Sequence, residues 1–365
     1  MRTLRSIFMP SLFAVAIILF SGPSFAAYYT GKTIAVLVGF PPGSSATLVV
    51  RNFIPFWSKH TPGNPQFVVK NKPGAGGQNA VNLIYEKGDK KGLTILFSPS
   101  KIAGEVMNAR GQRAVHNNFE ILGLVYDKHM TFSLTKVGPG LKKPADIVKA
   151  NGIKMAARSP SSTLDVTGKA ALDLLGVKYK FVCCYRGAAK MYAAMLTNEA
   201  HLGNVGISGY RSRYEPNLVK KGQAIGLYYL PTLTPKGDVI TQDPEFPDMP
   251  ALSELYKELN GKEPSGTLWE GIKWLRMASP RMAVAAPGTN KQAVADLRKG
   301  FIAAQKDPEF IAAHEKRFGS KWIYFSGEEG AGVFNKIKNA DPAVVKLLST
   351  KYFVSKAKGK KGKKK

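Results

Sequence analysis

The chain has 365 residues, 44% of them hydrophobic and 21% charged, and a formal net charge of +28. Its only cysteines, Cys183 and Cys184, are adjacent, which excludes a spaced Cys/His metal-ligand set. So basic a chain attracts anions at long range, yet its basic residues outside the C-terminal tail are scattered and form no recognisable nucleic-acid motif, which argues against nucleic acid as the partner.

The first 26 residues read as a signal peptide. Arg2 and Arg5 form a basic start, Leu12 to Phe20 is an apolar run too short for an ordinary span, and Ser24-Phe25-Ala26 offers a small-residue cleavage site. Cleavage is expected after Ala26; the other reading is an uncleaved anchor. No later segment is apolar enough to cross a membrane. About 340 residues remain, enough for two domains with their own cores. Without Arg2, Arg5 and the seven lysines of the tail, the body stays near +19. That tail, residues 353–365, is expected to be disordered because it cannot bury a core.

The early half alternates strand and helix signals: Ile34 to Val38 as strand, Ser45 to Trp57 as a helix kinked near Pro55, Phe67 to Val69 as strand, a helix from Gln78, and Leu93 to Phe97 as strand. Such alternation with short loops predicts an α/β architecture, a mostly parallel sheet flanked by helices, with ligands beyond the carboxyl ends of the strands. Ile121 to Leu134 is expected to carry the chain into a second unit of the same kind. There Leu141 to Lys149 reads as helix, Ile153 to Ala157 as strand, Leu164 to Leu175 as helix, Phe181 to Cys184 as strand, and Ala188 to Leu196 as helix. Ala224 to Tyr229 is a strand leading back, and 238–250 a surface loop. The last third reads as mainly helical, with a capping box at Thr289 and Gln292.

Two loops stand out. Phe40-Pro41-Pro42-Gly43-Ser44-Ser45 follows a strand and opens a helix, as does Asn71-Lys72-Pro73-Gly74-Ala75-Gly76-Gly77. Glycine-rich backbone before a helix start exposes N–H groups where the helix dipole is positive, so each loop suits a small anion. The plainer reading of each is a capped helix start or a tight turn. Ser98 and Ser100 after a strand, and Ser161, Ser162 and Thr163 in the second unit, add hydroxyls, a routine turn role being the alternative for the first two. Arg186 is the cation expected at the site, since a guanidinium grips a carboxylate in two parallel bonds; its alternative is a solvated surface side chain. Tyr185 and Phe40 either wall the site or pack in the core. The spacing of Gly74 to Gly77 fits neither a dinucleotide fingerprint nor a phosphate loop, and no Ser-His-Asp or Cys-His set is evident. The pattern suggests holding a solute rather than transforming it, so neither an enzyme nor a cofactor is expected. Cys183 and Cys184 are expected as buried thiols, with a strained vicinal bridge as the alternative.

Phe40-Pro41-Pro42-Gly43, the loop from Asn71 to Gly77, Tyr185-Arg186-Gly187, Asp243 to Pro250 and Ala285 to Thr289 together resemble the periplasmic solute receptors of tripartite tricarboxylate transporters, the Bug receptors. That resemblance implies a two-lobed, flytrap-like fold of the type II periplasmic binding proteins. Lobe 1 would comprise residues 27–127 and 230–352, and lobe 2 residues 128–229. It implies a periplasmic monomer that holds a small organic carboxylate between the lobes and delivers it to the subunits of a membrane permease. Presentation of the ligand to a sensor kinase is the alternative. Three departures stand against the family pattern: Thr47 occupies the place of an aspartate in the first loop, Asp165 lies near that of a histidine, and residues 203–209 lack an acid.

Overall fold

The computed structural model describes residues 27–185, 187–233, 239–240, 243 and 245–353. The expected signal peptide, Arg186 and the chain beyond Phe353 lie outside the described residues. Thirteen strands form among them: β1 (Thr33–Val38), β2 (Gln66–Asn71), β3 (Thr94–Pro99), β4 (Glu120–Tyr126), β5 (His129–Leu134), β6 (Ile153–Ala157), β7 (Tyr179–Cys183), β8 (Leu202–Gly206), β9 (Ala224–Tyr229), the short pair β10 (Thr232–Leu233) and β11 (Val239–Ile240), β12 (Arg281–Ala285) and β13 (Ile323–Ser326). They make a six-stranded sheet, β13-β4-β12-β3-β1-β2, and a five-stranded sheet, β7-β6-β8-β5-β9.

Strand β1 shows why these runs form strands. Ile34, Val36 and Val38 enter one apolar cluster and Leu37 the opposite one, so both faces of the sheet are covered. A continuous apolar run is what such a strand requires. Strand β12 follows the same logic: Met282 and Val284 face one cluster, Ala283 and Ala285 the other. Sequence reading passed over it as part of a helical region, because a five-residue apolar run has no periodicity to separate strand from buried helix.

Both sheets are mixed. Strands β1, β2 and β3 run parallel, as do β6, β7 and β8, but β12, β13 and β5 pair antiparallel with their neighbours. The chain passes from the first sheet to the second between Tyr126 and His129 and leaves the second after Tyr229. One buried side chain ties both crossings: the Arg276 guanidinium donates to the carbonyls of Asp127 at 3.0 Å and Pro231 at 2.8 Å. Beside it Lys128 pairs with Asp243 at 2.7 Å and Glu245 at 2.9 Å. Helix Thr267–Met277, which carries Arg276, packs against helix Thr163–Leu174 of the second unit, so one apolar cluster runs through both units.

Several local expectations change. The first helix runs unbroken from Ser45 to His60, with Pro55 on its exposed side. The helix expected over Leu141 to Lys149 is a shorter 3-10 helix that starts at Pro144, whose fixed φ suits a first helical position. The cap expected at Thr289 sits one residue later: the Asn290 side chain accepts from Ala293 N–H, while Thr289 bonds back to Ala286. Cys183 and Cys184 are bridged and exposed rather than buried thiols, since β7 lies at the sheet edge. Within the expected surface loop, Asp243 and Phe246 are buried, the latter stacked on Tyr229 with ring centroids 4.6 Å apart.

His314 lies among Phe310, Phe318 and Trp322 and is 6% exposed. Burial lowers its pKa to about 4. Because the folded value lies below the ordinary 6.5, the unfolded chain binds the proton more readily; the stability held above pH 6.5 is lost as pH falls towards 4, by roughly 3 kcal/mol. Urea denaturation across that range should show the loss in the wild type and a flatter profile for His314→Leu. Parallel profiles would contradict this reading.

Candidate functional site

The carboxyl ends of the parallel strands in the two sheets face one another across a cleft. Phe40, Ser44, Ser45 and Ala46 line it after β1, Pro99, Ser100 and Lys101 after β3, Arg158, Ser162, Thr163 and Leu164 after β6, and Gly187 and Ala188 after β7. The antiparallel strands contribute their first residues, because reversal places a strand's start beside its neighbour's end. Arg281 opens β12 opposite Pro99 and Val125, and His129 opens β5 opposite Gly206. Both line the cleft, with Asp127 between the sheets. The cleft offers about 80 Å³ in which the centre of a water-sized group can move, the scale of a small solute.

Three helices begin here: Ser45–His60, Thr163–Leu174 and Ala188–Leu196. Ser44 and Ser162 cap the first two, their hydroxyls accepting from Thr47 N–H at 3.3 Å and Asp165 N–H at 3.5 Å. The first two amides of each helix have no acceptor within it and stand at the positive end of the dipole. The cleft is thus lined from both sides by donors suited to an anion.

Asn71 explains how two loops form one wall. Its amide donates to Phe40 O at 2.7 Å and to Thr47 Oγ1 at 2.8 Å, and Thr47 Oγ1 donates in turn to Pro41 O at 3.0 Å. Thr47 is fully buried and serves as this brace. The loops also pack closely: a Cβ on Gly39 would stand 2.9 Å from the Gly77 Cα.

Of the residues singled out in the sequence, Phe40, Ser44, Ser45, Ser100, Ser162 and Thr163 meet in the cleft. Gly43 is exposed beside it, and Ser161 precedes the lining residues. Gly74, Ala75, Gly76 and Gly77 form a tight turn at the cleft's border. A Cβ on Gly76 would lie 3.0 Å from Ser159 Oγ in the second unit and 3.6 Å from Lys101 Nζ. The Ser98 hydroxyl is buried and accepts from Gly39 N–H at 3.2 Å, so it holds the loop. Tyr185 turns away, its hydroxyl donating to Glu199 at 2.8 Å. Arg186 lies outside the described residues.

Sequence reading missed the charged side chains: Lys101, Asp127, His129, Arg158 and Arg281. Arg158 directly follows a strand end and Lys101 stands two residues past one, a signal that was present; Arg281 was hidden with β12. Arg158 Nη1 bonds the fully buried Asp165 at 2.6 Å, and the Arg158 N–H bonds the same carboxylate at 2.7 Å. Arg281 bonds Asp127 Oδ2 at 2.8 Å. Burial, followed by the nearby Arg276, Arg281 and Arg158, holds His129 well below the usual histidine range. Arg276 donates to its Nδ1, so the ring is neutral with its proton on Nε2. Among the described residues no group of three or more His, Cys, Asp or Glu side chains is placed to hold a metal ion.

The periplasmic binding protein BugD is similar to this chain at a TM-score of 0.67 and 19% identity, covering 88% of this chain and 98% of its own. MatC from Rhodopseudomonas palustris with bound malate gives a TM-score of 0.65 and 16% identity, over 86% of this chain and 99% of its own. A second R. palustris protein, with adipate, gives 0.65 and 16%, over 84% and 94%. The fold is that of the two-lobed periplasmic binding proteins. No family model matches the sequence, and no curated protein matches it. In this binding-protein fold the cleft described above lies between the two lobes.

Removing the Asp165 charge tests how the cleft wall is built. Asp165→Asn should destabilise the protein by about 3 kcal/mol in urea denaturation, because Arg158 loses the partner of a mostly buried pair. A loss below about 1 kcal/mol would show that the pair does not hold the wall.

Proposed function

We propose that this chain is an exported receptor that closes its two lobes on one small organic carboxylate and passes it to the subunits of a membrane permease. The observation that carries this reading is the convergence, from both sheets, of three helix starts and three cationic side chains on one cleft. Free amides and cations favour an anion there, and the small enclosed space limits its size. The bound malate and adipate of two proteins with this fold agree with a carboxylate guest. The resemblance of Phe40 to Gly43 and Asn71 to Gly77 to the Bug receptors supports the same reading. In it the ligand-binding residues are Phe40, Ser44, Ser45, Ser162 and Thr163, with Gly74 to Gly77 closing the border.

The signal-peptide pattern supports export to the periplasm, and no helix among the described residues is long and apolar enough to cross a membrane. The receptor acts as a monomer and releases its ligand unchanged. Lobe closure follows from ligand contacts made on both sides at once.

Native mass spectrometry of gently purified protein, followed by calorimetry with malate, adipate and benzoate, tests this. One acid of low mass per chain is expected, with a dissociation constant in the micromolar range, a smaller radius of gyration in solution scattering, and unaltered ligand on release. Absence of binding by every acid, or chemical conversion of one, would overturn the proposal.

A further inference from the structure

Lys101 differs from the other cations in the cleft. Arg158 and Arg281 each hold a carboxylate of the protein. Lys101 is 7% exposed, and among the described residues no acid lies within ion-pair distance of its ammonium. Its backbone is fixed from behind: Lys101 N–H donates to His116 Nε2 at 3.2 Å, and His116 Nδ1 donates to Glu105 at 2.7 Å. Ser159 Oγ, from the facing lobe, is buried without a hydrogen-bond partner. Both Nζ and this Oγ lie within 4 Å of the same point above Gly76. A largely buried lysine with no carboxylate partner and a buried hydroxyl with no partner at all both favour the arrival of an acceptor.

We propose that Lys101 is the side chain that determines the ligand's charge: its ammonium and Ser159 Oγ bind one carboxylate group between them, joining the two lobes through the ligand. This rests on the receptor reading above and assigns the position of one end of its ligand. It also makes capture proton-linked. Burial pushes the Lys101 pKa down to about 8, Arg158 adding to the fall and Asp165 opposing it. His116, behind the backbone of Lys101, is held below its ordinary value by burial and adds no charge near neutrality. A bound carboxylate favours the ammonium, so affinity is full below pH 8 and falls about tenfold for each further unit.

The test compares wild type, Lys101→Met and Ser159→Ala by calorimetry with benzoate, benzamide, malate and adipate from pH 7 to 10. For each acid the wild type binds, Lys101→Met should weaken affinity about ten- to hundredfold and remove the alkaline fall; Ser159→Ala should weaken it less. Benzamide binding should change little in Lys101→Met. Without ligand, Lys101→Met should melt higher than wild type, because it removes an uncompensated buried charge. Acids that bind wild type and Lys101→Met equally, or a ligand-free variant that melts lower, would overturn the inference and leave the receptor reading standing. No binding of any acid to the wild type would overturn both.

Discussion

The structure depends on a shortage of acceptors at the place where its two sheets meet. Helix starts leave amides unpaired, and here three of them face one cleft. The topology makes this unavoidable: parallel strands end at the cleft edge, and each following helix must begin there. The antiparallel strands β5 and β12 sharpen the effect by bringing His129 and Arg281 to the same edge. Side-chain carboxylates offset only part of the positive potential, since Asp165 and Asp127 are already engaged by Arg158 and Arg281.

The crossing between the lobes is specifically held. Arg276 is buried and satisfied by two carbonyls and a neutral histidine, with burial lowering its pKa to about 10. Both carbonyls belong to segments that cross between the sheets, so the clamp ties the two crossings together. It also sets the tautomer of His129, leaving Nε2–H as the donor of that ring. In our reading the lobes open and close about this clamp, and the ligand contributes the contacts that favour the closed form.

Much of this was legible in the sequence where backbone chemistry is written in residue type. The glycines from Gly74 to Gly77, the serines at Ser44 and Ser162, and the apolar run at Ile34 to Val38 mark turns, caps and a buried strand by local rules. The six singled-out residues that meet in the cleft all lie in loops after strands or at the helix starts that follow them. The rest required long-range pairing. Whether Arg281 reaches the cleft depends on β12 inserting between β3 and β4, a choice no local pattern encodes. Nor could Ser98 and Tyr185 be told from lining residues, since the choice rests on partners, Gly39 and Glu199, that lie elsewhere in the chain. The strain of a vicinal bridge favoured buried thiols at Cys183 and Cys184, whereas the edge position of β7 exposes both residues.

A crystal structure of the protein with a bound carboxylate bears most directly on the central claim that opposed helix starts share one anionic guest. The account predicts carboxylate oxygens within hydrogen-bond distance of the amides at Ser45 or Ala46 on one side and at Thr163 or Leu164 on the other. Ligand density away from these amides, or held by a single lobe in a closed molecule, would contradict it.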